Sequence, residues 1–231
     1  MDYISFRGVR TDALGLYVAK GGMPSHRKAK QRNTEYDIPG RSGAVHVMDG
    51  YSPIDLKAVL IMVDGTAGMR QIINAWADGT GDLYTSDDTT KIWMASVLEE
   101  VQYSRTRYGS KLYDTATITF RCQPFMRQAA ETAVEYTADG TIANAGNVVA
   151  LPKIVITGNG NVTFSIAGQE ITINGMETAH PVTIDCETGY IFTDEGACEM
   201  VGEIPSLPLG TSNITIGTAT KIAITPHWGW M

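Results

Sequence analysis

The side chains best suited to acid–base or metal chemistry are four carboxylates late in the sequence. Asp185 and Glu187 are two residues apart, and Asp194 and Glu195 follow shortly after them. Such groups could act as a general acid and base, or bind Ca²⁺ through their oxygens. Residues 129–231 contain 2 Lys and Arg against 11 Asp and Glu, a balance of −9, so neighbouring carboxylates are expected there by chance. We interpret these four as a solvated sheet edge.

Other patterns that carry catalysis or bind metals are missing from the sequence. It contains no G-x-S-x-G elbow, no P-loop and no H-E-x-x-H motif. The histidines are scattered, with no other metal-ligating residue at helical spacing: His26, His46, His180 and His227. The cysteines form no C-x-x-C pair, so we expect small buried thiols: Cys122, Cys186 and Cys198. We therefore predict a chain that is not an enzyme and holds neither a cofactor nor a metal.

Aromatic side chains in the second half allow a binding role. Tyr190 and Phe192 alternate along one segment, and Trp228 and Trp230 lie near the end of the sequence. Exposed rings of this kind could stack on sugars, and chain termini are commonly exposed. Packing in a core or in a subunit interface explains the same residues and is the interpretation we favour. Trp228 and Trp230 remain candidates for glycan stacking.

Residues 24–33 contain a run of basic side chains, which we call the basic run. It lacks interleaved aromatic residues, which argues against stacking on single-stranded nucleic acid. The acidic second half argues further against nucleic acid as a specific ligand. Residues 1–128 carry 16 Lys and Arg against 14 Asp and Glu, a balance of +2, so the acidic half of another copy could pair with this run. The candidate interface residues are Arg27, Lys28, Lys30, Arg32 and Arg41.

The first half reads as a β domain with one helix. Strands are predicted over 54–63, 91–103 and 112–122, and the last of these shows alternating polar and apolar side chains. The basic stretch 24–33 reads as a loop or the polar entry to a strand. The residue types from Pro39 to Gly43 predict a tight turn. A helix is predicted near 66–78, capped by Asp64 or Thr66 and ended by Gly79. Its apolar stripe is Met69, Ile72, Ile73 and Trp76.

The second half reads as an antiparallel β-sandwich or barrel. Its predicted strands are short and divided by glycine-rich turns at spacings of about 8–12 residues. The shift in charge and in strand length predicts two domains, 1–128 and 129–231. No apolar stretch of about 18 residues is present, and the first ten residues do not read as a signal peptide. We expect a protein that does not enter membranes and that assembles in the cytoplasm.

A series of short motifs runs in order along the chain. In the first half the motifs are Phe6-x-Gly8, Leu14-Gly15-Leu16, Ile38-Pro39-Gly40-Arg41-x-Gly43, the helix with Trp76, and Gly81-Asp82-Leu83-x-x-Ser86-Asp87-Asp88. In the second half they are Asn144-Ala145-Gly146, Leu151-Pro152-x-Ile154, Ile184-Asp185, Ile204-Pro205-x-Leu207-x-x-Gly210, Asn213 and Ile224-Thr225-Pro226-His227-Trp228. Each motif alone is weak, but the ordered series covers nearly the whole chain and resembles the distal tail protein family of siphophages and related prophages.

The resemblance implies a mainly β fold and a structural role. It implies an N-terminal ring-forming β domain with one helix, and a C-terminal galectin-like antiparallel β-sandwich outside the ring. The ring would be a homohexamer at the virion tail tip, assembled in the bacterial host. Implied partners are the tail tube protein and the tail-associated hub protein, with the receptor-binding protein and the end of the tape-measure protein as further ones. At 231 residues the chain resembles the short form without an inserted carbohydrate-binding module. The alternative is a carbohydrate-binding adhesin that recognises host cell-wall glycan.

Overall fold

The structure is a computed structural model that describes residues 2–63, 67–108, 111–194 and 196–231. The chain divides into two compact units, which we call unit 1 and unit 2. Unit 1 comprises Met1–Met126 with Met231, and unit 2 comprises Arg127–Trp230. The division falls after Met126, whereas the sequence placed the domain boundary after residue 128.

Unit 1 is built from antiparallel strands and one α-helix within its described residues, together with a 3-10 turn at Asp12–Leu14. The strands are β1 (Ile4–Phe6), β2 (Val9–Arg10), β3 (Tyr17–Val18), β4 (Gln31–Asp37), β5 (Ala44–Tyr51), β6 (Ile54–Val63), β7 (Thr80–Thr85), β8 (Asp88–Val97), β9 (Gln102–Tyr108) and β10 (Lys111–Cys122). The helix is α1 (Ala67–Trp76), and β11 (Met126–Gln128) follows at the boundary. The predicted mainly β class is confirmed.

Strand β10 organises the sheet of unit 1. Strands follow one another in the order β2-β1-β7-β8-β10-β6-β3, and β9 pairs with β10 as well. One side of β10 pairs with β6 from Tyr113 to Cys122. Its other side pairs with β9 and then, beyond Thr119, with β8. The prediction of one strand over 91–103 is therefore wrong, because an exposed turn separates β8 from β9 so that each can pair with a different part of β10.

One face of this sheet is buried under α1. Alternate residues of β6 point into the core, and Leu56, Leu60 and Met62 are at most 1% exposed. The helix contributes Ile73 and Trp76, and the Trp76 indole donates a hydrogen bond to the Val9 carbonyl over 2.9 Å. The helix is shorter than the predicted 66–78, and Gly79 follows it with a φ of 79°. The predicted caps, residues 64 and 66, lie outside the described residues.

A buried carboxylate ties α1 to the β9–β10 hairpin. Asp114 on β10 is 1% exposed and accepts two hydrogen bonds from Arg105, at 2.6 and 3.0 Å. Arg70 of the helix donates a third over 3.3 Å, and its guanidinium lies 5.3 Å from the Tyr103 ring centre. The hydrogen bonds from Arg105 and then Arg70 hold the pKa of Asp114 below its usual range. Charge pairing therefore satisfies the one acidic group among the described core residues of unit 1.

Unit 2 is a two-sheet antiparallel sandwich. Its strands are β12 (Val134–Tyr136), β13 (Gly140–Ala143), β14 (Lys153–Thr157), β15 (Gly160–Ile166), β16 (Gln169–Met176), β17 (Val182–Asp185), β18 (Tyr190–Thr193), β19 (Gly196–Ala197), β20 (Met200–Gly202), β21 (Thr211–Thr215) and β22 (Lys221–Thr225). A short strand, β23 (Gly229–Trp230), follows and belongs to neither of its two sheets. One sheet has the order β12-β22-β14-β17-β18-β19, and the other has the order β13-β21-β15-β16-β20. Isoleucines such as Ile154, Ile156, Ile171 and Ile173 are fully buried between them.

A second carboxylate holds the C-terminal turn of unit 2. Glu131 is 10% exposed and accepts hydrogen bonds from the backbone N–H groups of His227, over 3.0 Å, and Trp228, over 2.8 Å. His227 adopts the left-handed conformation, with a φ of 53°. Two successive backbone N–H groups converging on one anion form a nest. The contact spans 96 residues of sequence and keeps Trp228 in the sandwich core.

Candidate self-association surface

Strands β4 and β5 form a hairpin that we call the arm (Gln31–Tyr51). Among the described residues they pair only with each other, as a separate two-stranded sheet. All seven residues of β4 are exposed. At the root, the Ser52 N–H donates to the Lys30 carbonyl over 2.8 Å, and the Tyr51 ring packs 5.1 Å from that of Phe125. The arm is thus attached to unit 1 at its root.

The tip of the arm is a tight turn, as its residue types predict. The Arg41 N–H donates to the Ile38 carbonyl over 3.1 Å, which closes a four-residue β-turn. Pro39 sets φ at the second position, and Gly40 supplies the positive φ, 82°, at the third. This local chemistry fixes where β4 ends and β5 begins.

The two faces of the arm differ in character. The register places Tyr36 opposite Val45 and Thr34 opposite Val47 on one face, which we call the apolar face. Tyr36 is 54% exposed and Val47 is 47% exposed. Glu35 pairs with His46 on the other face, the polar face, which also carries Asn33 opposite Met48, a residue that is 49% exposed. Cross-strand partners share a face because successive side chains alternate across a strand.

The sequence interpretation missed the apolar face. It assigned residues 24–33 to a loop or a polar strand entry and concentrated on positive charge. The available signal was the alternation of Thr34 and Tyr36 before the turn with Val45 and Val47 after it. Neither run contains more than two strongly apolar residues, so neither reveals an apolar face by itself. The face becomes recognisable only when the turn pairs the two runs.

The basic run leads into the arm along the surface of unit 1. Pro24 and Ala29 are buried, and the His26 ring lies 4.8 Å from the Trp93 ring, with its Nε2 3.3 Å from an Asp87 carboxylate oxygen. These contacts anchor the segment and turn its cations outward. The exposed cations are Arg27, Lys28, Lys30 and Arg32.

The predicted interface residues are partly brought together. Arg27, Lys28, Lys30 and Arg32 follow one another along the run, and Arg32 donates a hydrogen bond to the Asp49 carbonyl over 3.2 Å. Arg41 lies at the tip of the arm, about 23 Å from the root at the usual rise of an extended strand. Within the described part of the chain, no ion pair forms between these five side chains and a carboxylate. Their part in an interface remains a prediction.

The two tryptophans proposed for glycan stacking lie against the core of unit 2. Trp228 is 9% exposed and belongs to the core, and Trp230 is half-buried against it. The core packing that we favoured describes their positions, and a sugar-stacking role stays a prediction. Tyr190 and Phe192 are the more open rings, at 71% and 44% exposure.

The described residues contain no group of three or more His, Cys, Asp and Glu side chains placed to hold a metal ion. A cavity of about 340 Å³ in unit 2 is lined by Glu177, His180 and Glu199 among others. Burial raises the pKa of the Cys122 and Cys186 thiols to about 12, which disfavours the nucleophilic thiolate.

Membrane insertion through a helix finds no support in the described chain. Its single α-helix spans ten residues, and no described helix has the length and apolar character that crossing a bilayer requires.

Comparisons with known proteins identify the fold. No protein-family model matches the chain, and no curated protein matches it in sequence. The fold is similar to that of the SPP1 Dit protein (gp 19.1), a paradigm of the hub adsorption apparatus in phages that infect Gram-positive bacteria, with a TM-score of 0.73, 15% identity and 98% of each chain covered. Two structures of the phage p2 baseplate in its activated conformation, with Sr and with Ca, give TM-scores of 0.45 and 0.47 at 10% identity over 97% of each chain. The predicted resemblance in fold is confirmed.

Proposed function

We propose that this chain is a distal tail protein of a long-tailed phage or prophage. It works as a structural part of the virion tail tip and not as an enzyme. Copies of unit 1 close a hexameric ring, which joins the tail tube to the tip or baseplate hub. Unit 2 lies outside the ring as a platform for host-adhesion components. The observation that carries this proposal is the likeness in fold to the SPP1 Dit protein over 98% of both chains.

The surface of unit 1 supports the ring. A ring needs two different surface patches that meet repeatedly around an axis until the circle closes. The arm supplies one projecting patch, with unpaired strand edges and an exposed apolar face. The basic run beside its root supplies cations that have no carboxylate partner in the described residues. The acidic balance of residues 129–231 keeps unit 2 apart from its copies by charge repulsion.

The partners follow from this position in the virion. The tail tube protein contacts one side of the ring, and the tail-associated hub protein contacts the other. The receptor-binding protein and the end of the tape-measure protein are the further partners. Specific contact with nucleic acid or with a membrane is not part of the proposal.

Electron microscopy of reconstituted complexes tests the proposal. The purified chain is mixed with tail tube and hub proteins of the same phage or prophage, and negatively stained particles are averaged. The expected result is a six-fold ring between tube and hub. A chain that stays monomeric at high concentration and joins neither partner would contradict the proposal.

Glycan binding by unit 2 is a second candidate function. The exposed rings of Tyr190 and Phe192 favour it, since open aromatic faces can stack on sugars. Pull-down on host cell walls with wild type, Tyr190→Ala, Trp228→Ala and Trp230→Ala separates the possibilities. Loss of binding in a folded variant would support an adhesin, and wild type that does not bind the wall removes this candidate.

A further inference from the structure

Two Asn-Gly pairs occur in the sequence, and both lie in unit 2: Asn159-Gly160 and Asn174-Gly175. In such a pair the backbone nitrogen of the glycine can attack the side-chain carbonyl carbon of the asparagine, because glycine has no side chain that hinders the approach. The nitrogen loses its proton as it forms the new bond to carbon, and the side-chain amide leaves as ammonia. Water then opens the cyclic imide to aspartate or isoaspartate. The reaction needs only a glycine nitrogen that can reach the asparagine side chain.

The first pair lies in an open turn. Asn159 belongs to the connection between β14 and β15, which are strands of different sheets, and both Asn159 and Gly160 are exposed. Gly160 has a φ of 72°, and a Cβ added there would meet no atom within 4 Å. Among the described residues, none makes a hydrogen bond with the Asn159 side chain. This side chain is therefore free to fold back onto the glycine nitrogen.

The second pair lies in a β-bulge. The register of β15 and β16 shifts there, so that Asn161 alone faces both Asn174 and Gly175. An extra residue in one strand leaves a backbone N–H without a partner in the ladder. The Gly175 N–H donates instead to the Asn161 side-chain oxygen Oδ1 over 3.2 Å. The Asn174 N–H donates to the Glu199 carbonyl over 3.3 Å, which holds the bulge from its other side.

These hydrogen bonds oppose the reaction at the second pair. The Gly175 nitrogen must first give up its bond to Asn161 before it can attack, and the fixed backbone restricts the approach of the Asn174 side chain. The product would also be unfavourable, because Asn174 borders the cavity that Glu177 and Glu199 line. Conversion to a carboxylate would add a like charge beside two others.

We propose that Asn159 is a site of spontaneous deamidation in the folded chain, and that Asn161 protects Asn174 from the same reaction. Deamidation of Asn159 adds a negative charge to a half of the chain whose balance is already −9. The isoaspartate product also lengthens the backbone of the turn between the two sheets by a carbon atom. The reaction takes place within unit 2 and is independent of the proposed ring.

Peptide mapping by mass spectrometry compares the two sites in one sample. The chain is incubated at mildly alkaline pH, folded or in concentrated denaturant, and the mass increase from amide to acid is followed at Asn159 and Asn174. Both sites should react alike in denaturant. In the folded chain Asn159 should react about fivefold faster than Asn174 or more, because one hydrogen bond of ordinary strength slows the attack by about that factor. Equal rates in the folded chain, or no reaction at Asn159, would overturn the proposal.

Matched substitutions at position 161 test the protection. Asn161→Ala removes the acceptor, whereas Asn161→Asp keeps an oxygen that accepts the same N–H. Deamidation of Asn174 should be about fivefold faster in Asn161→Ala than in wild type and unchanged in Asn161→Asp. A folded Asn161→Ala variant, as judged by thermal unfolding, in which Asn174 reacts no faster than in wild type would refute the role of Asn161. If Asn161→Ala does not fold, the comparison of the two sites in folded wild type still decides the outcome.

Discussion

The Asp114→Asn substitution tests whether charge pairing holds the helix of unit 1 to its sheet. Asp114 is 1% exposed and accepts three hydrogen bonds from two guanidinium groups. A hydrogen bond to a charged group contributes about 1 kcal/mol more than a neutral one, so Asp114→Asn forfeits roughly 3 kcal/mol. Both arginine side chains, 44% and 52% exposed, can return to water, which reduces the loss to about 2 kcal/mol.

The pH dependence of this variant has a defined sign. The arginines lower the pKa of Asp114 in the folded state. The carboxylate therefore stabilises the fold at pH values above the ordinary carboxyl pKa of about 4, and this stability is lost as the pH falls through the lowered folded-state pKa. The difference in unfolding free energy between wild type and Asp114→Asn should be full at pH 7 and shrink in acid.

Denaturant unfolding between pH 2 and pH 8, with hydrogen exchange to locate the change in β10, measures both effects. Asp55→Asn, at an exposed position of the neighbouring strand β6, is the control and should change stability little. Two results would show that the ion cluster does not stabilise the fold. One is an Asp114→Asn variant that unfolds like wild type at pH 7, and the other is a difference in unfolding free energy that grows on acidification.

Three further substitutions or reactions test other features. Glu131→Ala removes the acceptor of two backbone N–H groups and should destabilise unit 2 by about 3 kcal/mol, with red-shifted tryptophan fluorescence; unchanged spectra and stability would contradict the nest. Gly217→Ala should cost more than about 1 kcal/mol in denaturant unfolding, because its φ is 57° and a Cβ would lie 2.0 Å from a backbone oxygen; equal midpoints would refute this. Maleimide at pH 8 should label half-buried Cys198 before Cys122 and Cys186. Burial raises the pKa of those two thiols to about 12, so they hold little thiolate at that pH. Mass spectrometry that shows either buried thiol labelled first would refute the packing.

Local chemistry accounts for what sequence predicted well. Pro39 and Gly40 dictate a turn whatever surrounds them, and the apolar stripe around Ile73 dictates a helix that lies on a sheet. The short strands of unit 2 are divided by glycine-rich turns, which predicts a sandwich, and strands β14, β15 and β21 bury every second residue. These features depend on neighbours within a few residues.

Long-range pairing accounts for what sequence could not predict. The apolar face of the arm depends on which residue of β5 stands opposite Tyr36, and a register shift between Arg32 and Asn33 intervenes near the root. The C-terminal position of Trp228 suggested exposure, yet a glutamate 97 residues earlier holds its backbone in place. Such contacts join distant segments and leave no periodic trace in the sequence.

Native mass spectrometry of the chain is the sharpest test of a ring built from six copies. One dominant assembly of six copies is expected, which at 25.0 kDa per chain is about 150 kDa. A spectrum of monomers alone, from micromolar solution to the highest soluble concentration and with the tail partners present, would contradict the ring.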